Sequence, residues 1–312
     1  MQQLPPVQSV DPRALALRPV SGMVLLDVLM PERHAQKRLP GSVNACVFEV
    51  TFPDQVRALV PDPATPVLCY GHDHTTLDAA MAADKLLRLG YTRVQVLAGG
   101  LKAWEAEGLP LEGDLAGQED GPDASPLLPD GRWSLVGAES RIEWIGRNRT
   151  GRHVGTVQAS HGSLRVEEGA LTGIVTLDMR TIQNLDLEDP TLRSMLVAHL
   201  LSEDFFLAAE HPQAEFEILS AAFLEEATAS TPNVELHGAL TLRGQTAPLA
   251  LPATVHVLPA SEPQASGLAI EAHFDLDRTR WGAVYGSARH FKYLGYHLVF
   301  DPVSIALRLV FR

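Results

Sequence analysis

The spacing of apolar residues changes partway along this 312-residue chain, and that change constrains the fold more than any motif does. In the first part, short apolar runs such as Val67–Tyr70 alternate with helically spaced residues such as those between 79 and 89. After Arg132 the period becomes two, as expected where one face of a strand is buried and the other meets water. The clearest examples are Ala214–Ile218, Val234–Leu242 and Val303–Leu309. We therefore predict an α/β domain followed by an all-β antiparallel barrel or sandwich.

A segment with neither period separates the two parts. Residues 113–131, GDLAGQEDGPDASPLLPDG, are acidic and rich in Gly and Pro, which is typical of a solvated linker. The predicted domains are therefore residues 1–112 and 132–312. Within the second domain only Pro190–Phe206 has helical spacing, and it predicts a helix lying over or beside the barrel.

Composition limits the partners and the compartment. The formal net charge of -13 disfavours binding to the phosphate backbone of nucleic acids. The N-terminal residues lack the basic start and apolar core of a secretory signal, and no run of 18 apolar residues exists. Two cysteines indicate no disulfide framework. We expect a cytoplasmic protein without a membrane span, in an oligomeric state that the sequence leaves open, a dimer included.

The residues from Pro66 to Trp104 read as strand, loop, helix and strand. The loop is Gly71, His72, Asp73, His74, Thr75 and Thr76, and Gly90 ends the helix that follows. Such a loop presents backbone N–H groups at a helix N-terminus, where anions are favoured and thiol pKa values fall. We expect Asp73, Thr75 or Thr76 to cap the helix. Because His72 and His74 bring no third ligand, we predict no metal site.

Three segments in this first part carry a family resemblance. They are LLDV at Leu25–Val28, Glu32 followed by LPGSVNA at Leu39–Ala45, and LAGGLKAW ending at Trp104. Together they resemble the rhodanese family of sulfurtransferases, over roughly the first third of the chain. The resemblance implies a rhodanese-like parallel sheet flanked by helices. Leu29 and the residues 37–39 depart from the family pattern.

The resemblance also implies a catalytic cysteine at the first loop position, where it would accept sulfur as a persulfide. Here that position is Gly71, and Cys69 lies two residues upstream on the same face of the strand. We interpret Cys69 and Cys46 as buried structural thiols. The alternative is that Cys69 is a displaced nucleophile served by His72 or His74. Without a nucleophile, the loop is a degenerate site that we expect to bind an anion or a partner.

Four segments of the second part carry another resemblance. They are SRIEWIGRNRTGRHVGTVQASHGSL, HLLSEDFFLAAEHPQAEFEI from His199, HGALTLRGQTAPLALP, and DRTRWG from Asp277. In this order they resemble the YceI family, over nearly all of Trp133 to Phe311. The resemblance implies a lipocalin-like antiparallel β-barrel that encloses an amphiphile with a long isoprenoid or acyl tail. A barrel of about eight strands has room for one such ligand.

The candidate ligand-binding residues in the barrel are aromatic, basic or histidine side chains. They are Trp144, Arg149, His153, His199, Phe205, Phe216, Trp281 and Tyr285. The basic residues around Gly151, which also include Arg147 and Arg152, would orient a carbonyl, quinone or carboxylate head group. The competing interpretations are ordinary core packing for the aromatics, a solvated turn for the arginines and structural roles for the histidines. The turn from Asp277 to Arg280 we expect to be structural.

We therefore predict a non-catalytic binding protein. A hydrophobic small molecule, an isoprenoid or quinone-like lipid, would occupy the barrel, and no other cofactor is expected. The alternative is a thiosulfate or persulfide sulfurtransferase that uses Cys69, with the barrel as an accessory domain. A third hypothesis is a scaffold that binds another protein through the loop at residues 72–76.

Overall fold

The computed structural model describes residues 7–17, 22–118, 128–224, 227–228, 230–258, 260 and 266–312. The chain forms two compact units, residues 1–122 and 123–312. Of the predicted linker, residues 119–127 lie outside the described residues. Its ends are packed, since the backbone N–H groups of Asp114 and Leu115 donate to carbonyls of Ala35 and Gln36 at 3.0 and 2.9 Å, and Leu128 is buried. Within the expected linker, 113–131, the structure therefore shows contacts at Asp114, Leu115 and Leu128.

The first unit is built on a five-stranded parallel sheet with the order β1-β5-β4-β2-β3. Its strands are β1 (Gln8–Val10), β2 (Val24–Asp27), β3 (Val43–Asn44), β4 (Val67–Tyr70) and β5 (Val94–Leu97). Its helices are α1 (Pro12–Ala16), α2 (Pro31–Gln36), α3 (Phe52–Leu59), α4 (Asp78–Arg88) and α5 (Gly100–Ala106). One core cluster contains residues of α3 and α4, another contains residues of α1 and α5, and both contain residues of β4. The predicted α/β fold is confirmed.

A buried carboxylate joins β2 to its neighbours in this sheet. Asp27 accepts hydrogen bonds from the hydroxyl of Tyr70 at 2.8 Å and the backbone N–H of Leu29 at 2.9 Å, and its Oδ2 lies 2.9 Å from Nδ1 of His34. Ser42 extends the network, with its hydroxyl 2.8 Å from that of Tyr70. Because both carboxylate oxygens have hydrogen-bond partners, we assign this buried group a structural role.

The second unit is an antiparallel β-barrel. Its strands are β6 (Gly131–Ser134), β7 (Arg141–Arg147), β8 (Arg152–Glu167), β9 (Ala170–Asn184), β10 (Gln213–Phe223), β11 (Val234–Leu242), β12 (Gln245–Leu258), β13 (Gly267–Asp277) and β14 (Pro302–Phe311). Strands β7 to β14 form a closed ring, because β8 pairs with β7 on one side and β9 on the other. The short β6 pairs with β8. The predicted lipocalin-like barrel is confirmed.

Alternation along β11 shows why the barrel forms. The even-numbered residues from Val234 to Leu242 are buried, and the odd-numbered residues between them are more exposed. Leu236 and Leu240 therefore point inward. Helix α6 (Pro190–Leu201) packs beside β9 and starts at Asp189, whose carboxylate accepts from the backbone N–H groups of Thr191 and Leu192 at 2.7 and 3.2 Å. It ends five residues before the predicted Phe206. None of the described helices has the length and apolar character needed to cross a membrane.

Candidate functional site

The loop between β4 and α4 is closed by its own helix. Asp78, the first residue of α4, folds back so that Oδ2 accepts from the backbone N–H of His72 at 3.0 Å and the hydroxyl of Thr76 at 3.1 Å. A Cβ added to Gly71 would lie 2.7 Å from the same oxygen, closer than real Cβ contacts come. The carboxylate therefore fills the space that a side chain at the first loop position would need.

A second carboxylate takes further donors of this loop. Asp73 accepts from the backbone N–H and the hydroxyl of Thr75, at 2.8 and 2.7 Å, and the hydroxyl contact is the main reason that its pKa is lowered. The expected helix cap is wrong, because the N-cap residue is Leu77 and makes no side-chain capping bond. Two carboxylates therefore already accept hydrogen bonds from donors of the loop where we expected an anion or a partner.

The two histidines of the loop lie in different surroundings. His72 Nε2 lies 3.9 Å from Asp73 Oδ2, and His74 is exposed. Within the part of the chain that the structure describes, no three His, Cys, Asp or Glu side chains are grouped so that they would hold a metal ion.

The cysteines of this unit are enclosed. Cys69 is fully buried, and burial raises its pKa to about 12. Because a thiolate is the reactive form of cysteine, this environment opposes nucleophilic chemistry. Cys46 is also buried, with its Sγ 3.5 Å from Sδ of Met30.

The barrel contains a cavity of about 380 Å³. Its wall is almost entirely aliphatic and aromatic, with polar side chains gathered near the barrel end where α6 lies. Six of the eight candidate ligand-binding residues line it: Trp144, His153, His199, Phe205, Phe216 and Tyr285. Arg149 does not, because it is exposed in the turn after β7. Trp281 does not either, because it is buried behind the wall and its indole N–H donates to the carbonyl of Leu240 at 2.8 Å.

Glycines make room for two of the aromatic wall residues. Trp144 is paired with Gly155 across β7 and β8, and a Cβ at Gly155 would lie 2.2 Å from the indole. Similarly, a Cβ at Gly238 would lie 2.8 Å from the ring of Phe216. An aromatic ring can therefore lie across the neighbouring strand at these positions, which is a recurring arrangement in curved sheets.

Each histidine at the cavity mouth has a polar partner. His153 Nδ1 lies 2.9 Å from Asp186 Oδ2, and His199 Nε2 lies 3.0 Å from Asp204 Oδ2. Although burial alone would raise it, the pKa of Asp186 is lowered overall by hydrogen bonds from Val154, His153 and Asn184. The third histidine of the mouth, His297, has its Nδ1 3.2 Å from the hydroxyl of Tyr285. Two of these three histidines are therefore paired with carboxylates.

The sequence interpretation missed Arg278 as a wall residue. Its guanidinium is buried against the cavity and donates to four backbone carbonyls, those of Ala283, Tyr285, Val299 and Phe300. It also lies 5.4 Å from the ring centre of Phe205, and burial lowers its pKa. We expected a structural role for the turn from Asp277 to Arg280, but sequence spacing alone does not show that one side chain holds both ends of the following loop.

Arg147, which the sequence placed among the basic residues around Gly151, also lines the cavity. Its guanidinium donates to the hydroxyl of Ser304 at 2.7 Å, and that hydroxyl in turn donates to Asp275. Further wall residues near the mouth were not anticipated: Asn148, Leu196, Tyr296 and His297. The aromatic residues between 291 and 300 were the available signal for Tyr296.

Comparisons with known proteins agree with the two units. A model described as a YceI-like domain matches residues 133–311, which is more than half of the chain. A model described as a rhodanese-like domain matches residues 13–107. The search of curated proteins gave no match.

Solved structures resemble either unit. BcnA of Burkholderia cenocepacia is 20% identical, with 56% of this chain and 98% of that chain covered and a TM-score of 0.42. A polyisoprenoid binding domain from Saccharophagus degradans is 13% identical, with 58% and 97% covered and a TM-score of 0.39. A thiosulfate sulfurtransferase from Pseudomonas aeruginosa is 27% identical, with 35% and 20% covered and a TM-score of 0.31. By its family match, the chain belongs to the YceI-like family, and it carries a rhodanese-like domain N-terminal to its barrel in the sequence.

Proposed function

We propose that the barrel holds a lipid-like ligand, with an isoprenoid or similar tail in the cavity and a polar head at the mouth. The observation that supports this is the distribution of chemistry along the cavity, which is apolar inside and polar near α6. A cavity with few convergent polar groups is the usual form of a site for an amphiphile. The YceI-like family match and the resemblance noted above are consistent with such a ligand.

The partners of the mouth residues favour a neutral head group. His153 and His199 are paired with carboxylates, and Arg147 is linked through Ser304 to Asp275. A phosphate or carboxylate would therefore meet negative charge already in place. A quinone-like carbonyl, in contrast, accepts a hydrogen bond without displacing those carboxylates. We therefore propose a quinone or another neutral isoprenoid in preference to an anionic lipid.

Extraction of the purified protein with organic solvent, followed by mass spectrometry, tests this proposal. The variant Leu249→Trp would fill part of the cavity, because Leu249 lines its wall. The matched control is Leu219→Trp, since Leu219 is exposed on β10. We expect a neutral isoprenoid from the native chain and the control, and none from Leu249→Trp. An empty native barrel that also takes up no added quinone would contradict the proposal.

We propose that the rhodanese-like unit recognises a partner and does not transfer sulfur. The support is Gly71 at the first loop position, with the carboxylate of Asp78 in the space beside it. Four exposed apolar residues follow the carboxyl ends of strands β2, β3 and β4: Met30, Phe48, Val50 and Leu77. Carboxyl ends of parallel strands share one edge of a sheet, which is where such folds bind their partners.

Thiocyanate formation from thiosulfate and cyanide tests the lack of catalysis. We expect no turnover above background in either the native chain or Cys69→Ser. Turnover that is lost in Cys69→Ser would establish the sulfurtransferase alternative instead.

The two free cysteines support our further proposal that the protein works in the cytoplasm, which cell fractionation would check.

A further inference from the structure

The loop that precedes β14 exposes an unusual set of aromatic side chains. This mouth loop, residues 282–300, links the turn at Arg278–Trp281 to the last strand. Its exposed apolar residues are Phe291, Tyr293, Tyr296 and Phe300, and Tyr293 and Tyr296 are almost fully exposed, at 101% and 97%. Exposed aromatics grouped in one segment mark a surface that contacts something apolar.

The mouth loop lies at the open end of the cavity. Tyr296 and His297 line the cavity, and the ring of Tyr285 packs 4.7 Å from that of His199 on α6. Arg278 holds the loop near both ends through backbone carbonyls, as described above. A surface that covered these aromatics would therefore cover the cavity opening as well.

Helix α6 adds apolar side chains to the same end of the barrel. Leu192 and Met195 are exposed, and each lies four residues before a residue that lines the cavity, Leu196 and His199 respectively. Residues four apart are neighbours along one side of a helix. The apolar side of α6 therefore continues from the cavity wall to the outside.

The charge of the mouth loop differs from that of the chain. The chain carries a formal net charge of -13, yet residues 282–300 contain no Asp or Glu and include Arg289 and Lys292. Arg289 is paired with Asp277 and Asp301, at 3.0 and 3.6 Å. Lys292 is exposed between Phe291 and Tyr293. Aromatic side chains next to a cation match the interface of a bilayer that contains anionic lipid.

We propose that the mouth loop and the exposed side of α6 dock the barrel onto an anionic lipid bilayer, with the cavity opening toward the membrane. The aromatic rings enter the interfacial layer and supply most of the attraction, while Lys292 adds a smaller, salt-dependent part. A ligand tail then moves between bilayer and cavity without crossing water. A second copy of this chain is the competing occupant, and it would cover the same rings without any requirement for anionic lipid.

Flotation of the purified full-length protein with vesicles tests docking. The vesicles contain phosphatidylcholine alone or phosphatidylcholine with phosphatidylglycerol. The variants are Lys292→Glu and the double aromatic variant Phe291→Ser/Tyr293→Ser, whose two residues are exposed and do not line the cavity. The matched control is Phe223→Ser, because Phe223 is exposed at the opposite end of β10 from the mouth. Circular dichroism and uptake of a detergent-dispersed quinone show that each variant is folded and its cavity intact.

We expect the native chain and Phe223→Ser to float with the vesicles that contain phosphatidylglycerol. The aromatic variant should bind about tenfold more weakly to both vesicle types, and Lys292→Glu should lose binding mainly to the anionic ones. Docking is overturned if the native chain floats with neither vesicle type or if the aromatic variant floats equally well. Concentration-dependent dimerisation that requires Phe291 and Tyr293, without flotation, would overturn it in favour of a second copy. Quinone uptake by the non-floating variant would leave the function of the barrel supported, so the two proposals fail separately.

Discussion

Gly71 and Asp78 depend on each other, since the aspartate side chain lies where a residue at 71 would extend. Restoring a side chain there should therefore strain the loop. We expect Gly71→Ala to cost about 1–3 kcal/mol of local stability in the native chain but little in Asp78→Ala, a coupling of about 1 kcal/mol or more. Gly117→Ala is the control, because its Cβ would meet no neighbour. Hydrogen exchange of β4 and α4 amides measures the change, and additive effects would contradict the expected coupling.

Cys69 gives a prediction about pH. Because its pKa is raised from 9.0 to about 12, its thiolate fraction at neutral pH is about a thousandfold below that of an ordinary cysteine. The folded protein keeps this proton between pH 9 and 12 while the unfolded chain releases it, so stability should fall as the pH rises through that range. In Cys46→Ser, alkylation of native Cys69 should be very slow at pH 8 and fast once the chain is denatured. Rapid native labelling would show that the thiol is reactive.

The sequence predicts the residues of this loop but not their arrangement. The strand, the loop and the position of Gly71 follow from local spacing. The position of the Asp78 side chain does not follow from local spacing, because it depends on the space beside Gly71, seven residues earlier. The same limit applies in the barrel. The sequence predicts a structural turn that contains Arg278, but not the hydrogen bonds of its buried guanidinium to carbonyls more than twenty residues away.

At the scale of elements, α6 forms one side of the cavity mouth and is held at its start by Asp189. Asp189→Ala removes this cap and should cost about 1 kcal/mol of helix stability. If α6 must loosen for ligand to leave, release should become about fivefold faster. Glu188→Ala is the control, since Glu188 precedes the cap and is exposed. Stopped-flow transfer of a bound fluorescent isoprenoid to vesicles measures the rate, and equal rates would exclude α6 as the gate.

Strands were easier to predict than the helix. Alternation of apolar residues predicted β10, β11 and β14 because alternate residues of each strand line the cavity, and that pattern is local. Helix α6 ends at Leu201, and the residues up to Phe206 continue as turns, because the backbone N–H of Phe205 bonds to the carbonyl of Ser202. The side chains of Phe205 and Phe206 line the cavity, so the helical spacing of apolar residues continues beyond the end of the helix.

At the scale of the whole molecule, the change of period predicts two units, and each has its own core. A ligand of the barrel should therefore stabilise the second unit alone. At a hundred times its Kd, the ligand should add about 2.7 kcal/mol and raise one calorimetric transition by about 5–10 °C. The transition of the rhodanese-like unit should stay in place. Equal shifts of both transitions would show that the units unfold together.

At the same scale, ring closure was predicted by the family resemblance and not by strand spacing, which left a barrel or a sandwich open. The pairing of β8 with β9 that closes the ring depends on register between distant strands, which local spacing does not encode. Among the described strands, closure leaves none of β7 to β14 with a free edge, and the other sheet is bordered by strands of only three and two residues, β1 and β3. Long unpaired strand edges are what allow folded proteins to join into continuous intermolecular sheets. In its folded form this protein is therefore poorly suited to fibril growth, and concentrated solutions should remain free of thioflavin-binding aggregates.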